Sequence, residues 1–206
     1  MTTTRGTSTE VTALDTGEPP PSDAALWLLI AADDDHASFT ELFERHAERV
    51  WNYAHRLTAS WSTADDLLSA TFLAAWRKRG DGVLVHDSAL PWLYAVAANL
   101  ARTEWRAGRR RQRVLSRLTA ASNAVVADHA EDVADRSAAR DRLRRVVAAV
   151  AELPRSEREV AQLCLLGEMP AADAAALLGI AEASVRSRVS RARTRLRDLT
   201  TRTHDE

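Results

Sequence analysis

The sequence predicts an all-α protein made of two small helical domains joined by a flexible linker. From Ser22 onward, apolar residues recur at helical spacing nearly everywhere, and the Val-, Ile- or Thr-rich alternation typical of strands is missing. A length of 206 residues with 46% hydrophobic content suffices for two small cores. Residues 114–136 are rich in Ala, Ser and Asp with weaker periodicity, which is typical of an interdomain connection. We therefore predict domains over 22–113 and 137–200.

The remaining segments bear on disorder and cellular location. Residues 1–21 contain Thr, Pro and Gly without an apolar stretch, which predicts a disordered tail and no signal peptide. A second short tail is predicted over 201–206. The apolar run 24–32 is about half as long as the ~18 residues that a membrane span needs. Cys164 is the only cysteine and lies in an apolar run, which favours a buried thiol. These features predict a cytoplasmic protein without membrane insertion.

In the first domain, three segments have clear helical patterns. Leu42 to Leu57 repeat apolar residues at helical spacing, and the segment "STADDLLSATFLAAWRKR" opens with a capping signal, Ser62-x-x-Asp65. A loop is predicted over 80–89. Pro91 then suits the first turn of a helix with one apolar face.

The second domain is predicted to contain a helix-turn-helix. Its helices are expected near 137–152, 156–166, 171–178 and 183–199. Ala175, Gly179 and Val185 stand where this motif requires a small contact, a permissive turn and a buried anchor.

Charge is distributed unevenly along a chain whose net charge is only −1. The segment from Asn99 to Arg117 contains seven arginines and one acidic residue, and the segment from Ala183 to Leu199 contains six arginines and one acidic residue. In the second segment, an apolar stripe from Val185 to Leu199 would dock on the domain, leaving small hydroxyls flanked by arginines exposed. Such a face fits a DNA groove. A solvated terminal helix is the alternative, although such a helix normally interleaves acids with its bases.

The sequence contains no recognisable catalytic or metal-binding constellation. The six histidines form no ligand set, and no Gly-rich phosphate loop is present. The run "DDD" at 33–35 is interpreted as a loop and helix start rather than a magnesium site. We therefore expect no enzymatic activity, no cofactor and no bound metal.

Two segments resemble one protein family. The stretch "LPRSEREVAQLCLLGEMPAADAAALLGIAEASVRSRVSRARTRLRDL" is similar to the fourth conserved region of bacterial sigma factors, especially the extracytoplasmic-function (ECF) group of the sigma-70 family. The stretches "SFTELFERHAERVWNYAHRLTASWSTADDLLSATFLAAWRKR" and "ALPWLYAVAANLARTEWRAGRRRQR" are similar to the second region. The resemblance covers roughly 22–113 and 137–199. It implies a factor that binds core RNA polymerase and directs promoter-specific transcription initiation.

The resemblance also implies three sets of functional residues. Recognition of the minus-thirty-five element would use Ser184, Arg186, Ser187, Arg188, Ser190, Arg191 and Arg195. Recognition and melting of the minus-ten element would use Trp92, Asn99, Arg102, Trp105, Arg106, Arg109, Arg110, Arg111 and Arg113. Polymerase binding would use Asp65, Asp66, Leu67, Phe72 and Trp76.

Alternatives exist for some residues and for the whole chain. Core packing competes with a binding role for the aromatic and leucine residues of these sets, and helix capping competes for Asp65 and Asp66. Ser69 and Ala70 stand where the family usually has a Gln-Glu-like pair, and Thr103 stands where it usually has an acid. The chain as a whole could instead be a helix-turn-helix regulator that binds an operator as a dimer, or an adaptor with basic solvated helices. An anti-sigma factor is a further candidate partner, since many members of the family are held inactive by one.

Overall fold

The computed structural model describes residues 20–80, 84–118 and 134–202, with the side chains of 20–80, 84–106 and 138–199. Within these residues the elements are α1 (Asp23–Asp33), α2 (His36–Thr58), α3 (Trp61–Arg77), α4 (Leu90–Leu118), α5 (Ala134–Glu152), α6 (Arg155–Ala161), α7 (Ala171–Leu178) and α8 (Glu182–Arg202). Helix α6 continues into a π-helical turn, Gln162–Leu166. The described part contains no strand, only an isolated bridge between Val85 and Ser88. The predicted all-α class is confirmed.

Short polar side chains cap the N-termini of the first three helices. The Ser22 hydroxyl accepts from the Ala25 amide, and the Asp35 carboxylate accepts from two amides of the first turn of α2. Helix α3 begins at Trp61 with Ser60 as its cap. The predicted capping signal at Ser62 was therefore placed two residues too late, since Ser62 already lies inside the helix.

Helices α1 to α4 form a first unit, residues 20–118. Helix α2 packs against α1, α3 and α4, and helix α3 packs against α4. The core includes Leu42, Tyr53 and Leu93, each fully buried. The apolar faces predicted for α2 and α4 therefore point into one core, as amphipathic helices require.

Helices α5 to α8 form a second unit, residues 134–202. Gly179 ends α7 with a positive φ of 64°, a conformation that glycine adopts without strain. Val185 of α8 is fully buried and Ala175 of α7 is 7% exposed. The small contact, the turn and the anchor predicted for the helix-turn-helix are confirmed.

The two units pack on each other through a junction formed by α2 and α4 on one side and the π-helical turn on the other. Gly167 lies against the stacked rings of Tyr53 and Tyr94, whose centroids are 4.2 Å apart. A Cβ at Gly167 would lie 3.0 Å from Tyr94 and 3.1 Å from Tyr53, so glycine permits this approach. The units therefore share one continuous apolar core.

Three polar side-chain pairs join the two units. Arg102 lies 3.2 Å from Glu159, and His86 lies 2.9 Å from Asp173. Arg56 pairs with Glu168 beside Gly167. Partially exposed pairs of this kind contribute little stability singly, but they fix how the two units are aligned.

The element boundaries differ from the predicted domain limits. Helix α4 continues to Leu118 and helix α5 begins at Ala134, so the predicted linker 114–136 is helical at both ends. Helix α8 extends to Arg202 and includes the start of the predicted tail 201–206. The rest of the linker, 119–133, and most of both predicted tails, 1–19 and 203–206, lie outside the described residues.

Candidate nucleic-acid interface

Helix α8 buries one stripe and exposes the opposite face. Val185 and Ala192 are fully buried, while Val189 and Leu196 pack partly against the core. Ser184, Arg186, Ser187 and Ser190 are all exposed on the other face. The predicted division of this helix between packing and exposure is therefore confirmed.

The arginines of α8 differ in their contacts. The Arg186 guanidinium lies 2.6 Å from Glu182, four residues earlier and 41% exposed, and this pair is open to solvent. Arg188 is half-buried and has no ion-pair partner among the described residues. It is thus the arginine at the start of α8 whose charge no carboxylate of the described part offsets.

Arg191 and Arg195 are held by a buried acid of their own unit. Glu157 of α6, with a side chain 7% exposed, lies 3.0 Å from Arg195 and 3.8 Å from Arg191. Arg195 and Glu157 form an ion pair but no hydrogen bond, because no N–H group points at the Glu157 Oε2. A buried carboxylate needs such a partner. Both arginines, predicted only as DNA contacts, therefore also stabilise the second unit.

Helix α4 carries the polar residues of the predicted minus-ten set on one side. Asn99, Arg102 and Arg106 follow at intervals of three and four residues, so they share a helix face. Asn99 and Arg106 are exposed, whereas the Arg102 side chain is 22% exposed. Arg102 donates to the Asn99 Oδ1 and to Glu159 of the second unit.

The tryptophans of α4 have different environments. Trp92 packs edge-on against Trp27 at a centroid distance of 5.4 Å and lies partly in the core. Trp105 is 36% exposed and lines the junction. Core packing is therefore the observed role of Trp92, and Trp105 is the tryptophan of this set with an accessible ring. Arg109, Arg110, Arg111 and Arg113 lie on α4, and their side chains are outside the described residues.

A buried carboxylate that sequence reasoning missed anchors the turn before α4. Asp23 accepts from the Ala89 amide at 2.9 Å, the Arg45 guanidinium at 2.8 Å and the His46 imidazole at 2.7 Å. Burial raises the pKa of Asp23, but the hydrogen bonds from His46, Ala89 and Arg45 outweigh it and hold this pKa well below its usual range. Asp23 thereby ties α1, α2 and the turn at residues 84–89 together. The one sequence signal for Asp23 is its position directly after Ser22, the cap of α1.

The predicted polymerase-binding residues on α3 divide into buried and exposed. Leu67 is 2% exposed and Phe72 is 3% exposed, so neither side chain is available to a partner. Their burial favours core packing, the alternative left open for these two residues, and their role in polymerase binding stays a prediction. Asp65 and Asp66 are exposed, and Asp65 accepts from the Trp51 indole at 2.7 Å. Trp76 is half-buried.

Trp76 stacks on its neighbours rather than standing free. Its ring lies 4.7 Å from that of His36, and the Arg79 guanidinium lies 4.8 Å from the Trp76 ring. Two exposed apolar side chains nearby were missed by the sequence analysis: Leu73 of α3 is 49% exposed and Phe43 of α2 is 37% exposed. Phe43 touches the buried Phe72 at a centroid distance of 4.8 Å, which packs this exposed side chain of α2 against α3.

The remaining candidate groups are the single cysteine and the possible metal ligands. Burial raises the pKa of the half-buried Cys164 thiol. In the described part, no group of three or more His, Cys, Asp or Glu side chains could hold a metal ion. A search of the same residues finds no helix long and apolar enough to cross a membrane.

A helix-turn-helix with an exposed face of arginines and hydroxyls, accompanied by a second basic helix in a separate unit, defines a DNA-binding protein with two contact elements. Matches to two family models identify the family within this class. The model of sigma-70 region 2 matches residues 42–111, and the model of sigma-70 region 4 matches residues 143–196. The chain belongs to the sigma-70 family of RNA polymerase sigma factors, in its ECF group.

Named relatives and a solved structure agree with this assignment. The chain is 32% identical over 167 residues to the RNA polymerase sigma factor CarQ of Myxococcus xanthus, covering 81% of this chain and 91% of CarQ. It is 35% identical over 162 residues to the ECF sigma factor SigL of Mycobacterium tuberculosis, covering 77% and 86%. The structure of CnrH in complex with the cytosolic domain of CnrY matches with a TM-score of 0.58 and 26% identity, covering 87% of this chain and 97% of CnrH.

Proposed function

We propose that this sigma factor directs core RNA polymerase to its promoters through three separate surfaces. The start of α8 reads the minus-thirty-five element, one side of α4 engages the minus-ten element, and α3 with part of α2 binds the polymerase. The first unit, with predicted limits 22–113 and helical to residue 118, would contain the polymerase and minus-ten surfaces. The second unit would contain the minus-thirty-five surface. The observation that carries this proposal is the exposed face of α8 opposite its buried stripe.

The minus-thirty-five surface is supported by the difference among the arginines of α8. The first residues of a recognition helix reach base edges, whereas later residues contact phosphates. Ser184 and Ser187 are small enough to let the helix approach the bases, and Arg188 has no carboxylate partner in the described part. Arg188 can therefore bond a guanine edge with both of its terminal nitrogens. Arg191 and Arg195 remain in this surface as phosphate contacts that are positioned by Glu157.

The minus-ten surface is supported by the shared face of Asn99, Arg102 and Arg106. An amide beside two guanidinium groups supplies donors to phosphates and to the edge of an unpaired base. Trp105, one turn beyond Arg102, offers a ring of suitable size for stacking. The turn at residues 84–89, anchored by Asp23, stands directly before this helix.

The polymerase surface is supported by an apolar patch beside acidic residues. Leu73 and Phe43 are exposed, and Asp65 and Asp66 lie on the same helix as Leu73. Apolar patches with a charged rim are typical of protein interfaces. Leu67 and Phe72 are buried on the same helix, and their proposed role is to hold the shape of this surface from beneath.

The remaining aspects of the proposal follow from this role. We infer that the chain catalyses no reaction of its own and acts in the cytoplasm, where promoter DNA and polymerase are present. CnrH is solved with the cytosolic domain of CnrY bound. By similarity, we propose that an anti-sigma factor is a third partner of this chain.

Run-off transcription with core polymerase and genomic promoter fragments tests the function as a whole. Asn99→Ala combined with Arg106→Ala should reduce permanganate reactivity of melted thymines while polymerase binding remains. Arg144→Ala, which removes an exposed arginine of α5 with a 55% exposed side chain, is the matched control. Unchanged reactivity in the double variant would show that the minus-ten surface lies elsewhere.

Co-purification with core polymerase in the absence of DNA tests the polymerase surface. Leu73→Asp should weaken this complex without changing the circular dichroism spectrum, because Leu73 is exposed. Leu28→Asp is the matched control, since Leu28 of α1 is 71% exposed and lies outside the proposed surface. Equal effects of the two substitutions would contradict the assignment. A regulator that acts alone as a dimer would not co-purify at all.

A further inference from the structure

A cationic cleft lies where the two units meet. It has a volume of about 350 Å³ and is lined by Asn99, Arg102, Thr103 and Arg106 of α4 and by Arg155 and Arg158 at the start of α6. Four arginines from two different units therefore face one space. The cleft is distinct from the smaller apolar space beside it, which is lined by residues such as Leu57, Val150 and Leu166.

The positive charge in this cleft is incompletely offset. Glu159 pairs with both Arg102 and Arg155 at 3.2 Å, so one carboxylate is shared between two guanidinium groups. Arg158 donates to the Leu153 carbonyl at 3.2 and 2.8 Å, and the nearby Glu159 offsets part of its charge. Arg106 is exposed and lines the same cleft.

The like charges of this cleft act on Arg158. Burial lowers the pKa of Arg158, and the charges of Arg102 and Arg106 lower it further. A bound anion would relieve this repulsion. Guanidinium groups bind phosphate oxygens in a paired geometry, and several converging arginines are suited to a ligand with several negative charges.

We propose that this cleft binds a chain of phosphate groups that bridges α4 of the first unit and α6 of the second. The volume is within the range of small-molecule sites, which is about 300–1,000 Å³, and accommodates more than one phosphate group. The Asn99 amide can donate a further hydrogen bond, because its Oδ1 already accepts from Arg102. The phosphate chain is that of a free polyphosphate, as in a nucleoside triphosphate, because a cleft of this volume suits a compact ligand and exists only while the two units are packed together.

Such a ligand has two consequences. It holds the two units together, because each unit supplies two of the four arginines. A free polyphosphate would also compete with single-stranded DNA, because Arg102 and Arg106 belong to the proposed minus-ten surface as well. The second consequence rests on the proposed function, whereas the first does not.

Isothermal titration of the full chain with sodium tripolyphosphate, without polymerase, tests the site directly. Arg155→Gln and Arg106→Gln should each raise the dissociation constant about tenfold, the effect of losing one charge-assisted contact. Arg144→Gln is the matched control, because Arg144 is an exposed arginine of α5 outside the cleft. All titrations are made at the same ionic strength, set with sodium chloride, so that charge screening by salt is equal for every variant.

A parallel titration with a ten-nucleotide single strand of DNA identifies the source of the phosphate. If Arg155→Gln weakens both ligands and tripolyphosphate displaces the DNA, the cleft takes free polyphosphate in competition with DNA. If Arg155→Gln weakens only the DNA, the cleft is part of a nucleic-acid surface and the proposal is overturned. If Arg155→Gln changes the affinity for each ligand no more than Arg144→Gln does, the proposal is overturned. Because polymerase is absent, this result is independent of whether the promoter assignments are correct.

Discussion

Replacing Asp23 by Asn should destabilise the first unit through loss of one buried charge. The Asp23 side chain is 6% exposed and accepts from Arg45, His46 and the Ala89 amide, at distances between 2.7 and 2.9 Å. Asparagine has nearly the same shape, but its amide nitrogen would face donors that can no longer be satisfied. The substitution therefore removes charge without creating a cavity.

The magnitude follows from the hydrogen bonds that are lost. Hydrogen bonds to charged groups are worth about 1.5–3 kcal/mol each, and breaking a buried charge pair costs about 3–5 kcal/mol. Asparagine keeps one acceptor oxygen, so we expect a loss of about 2–4 kcal/mol. For a chain of this size, that corresponds to a decrease in melting temperature of roughly 5–15 °C.

The effect should depend on pH with a defined sign. The pKa of Asp23 is lowered in the folded state, so its contribution is present above the unfolded value of about 4 and is lost as pH falls below it. The difference in free energy of unfolding between wild type and Asp23→Asn should therefore be full at pH 7. It should shrink as the pH is lowered below about 4.

Urea denaturation followed by circular dichroism measures this difference at a series of pH values. Asp66→Asn is the matched control, since Asp66 is an exposed carboxylate on α3, and it should change stability by less than about 0.5 kcal/mol. Equal stability of Asp23→Asn and wild type at pH 7 would refute the reasoning. A difference that grew as the pH fell would refute it as well.

Two further predictions concern α8 and the junction. Arg188→Ala should cost about 1–3 kcal/mol of promoter binding and relax preference at one position in a library randomised over the minus-thirty-five element. Arg195→Ala should instead lower the unfolding free energy by about 1–2 kcal/mol, because buried Glu157 loses its nearest cation; identical effects of the two substitutions on consensus and stability would contradict this distinction. Gly167→Ala should loosen the junction and enlarge the radius of gyration by small-angle scattering, because its Cβ would lie 2.6 Å from a backbone carbonyl and about 3 Å from two tyrosine rings. Gly80→Ala, where a Cβ meets no atom within 4 Å, should leave the radius unchanged, and equal radii for both variants would argue against the packed arrangement.

Features that depend on local pattern were predictable from the sequence. The stripe of α8 could be placed because helical periodicity alone determines which residues share a face, and Val185 and Ala192 are indeed buried. Gly179 could be placed because a positive φ after a helix favours glycine. Helix ends were less predictable, since Ser60 and Ser62 are equally suitable caps and the sequence does not distinguish them.

Features that depend on contacts between distant residues were not predictable. Asp23 meets Ala89 across 66 residues, and Glu157 meets Arg195 across 38 positions of the sequence. Neither acid stands in a pattern that indicates burial, because a carboxylate is normally exposed. The burial of Leu67 and Phe72 could not be predicted for a related reason: the family resemblance points to a helix, but only packing shows which of its side chains remain exposed.

The packing of the two units has a different effect on each proposed surface. The start of α8 and the exposed part of α3 lie away from the junction, so their residues are accessible while the units are packed. Helix α4 is different, because Arg102 pairs with Glu159 of the second unit and is 22% exposed. A DNA strand that bonds Arg102 must therefore replace a carboxylate that already satisfies it. Since a partly exposed pair is worth at most about 1 kcal/mol, a phosphate can make this exchange, whereas separation of the shared apolar core requires a further source of free energy. Differential binding to the separated units, by polymerase and by two spaced DNA elements, is the source that the proposed function supplies.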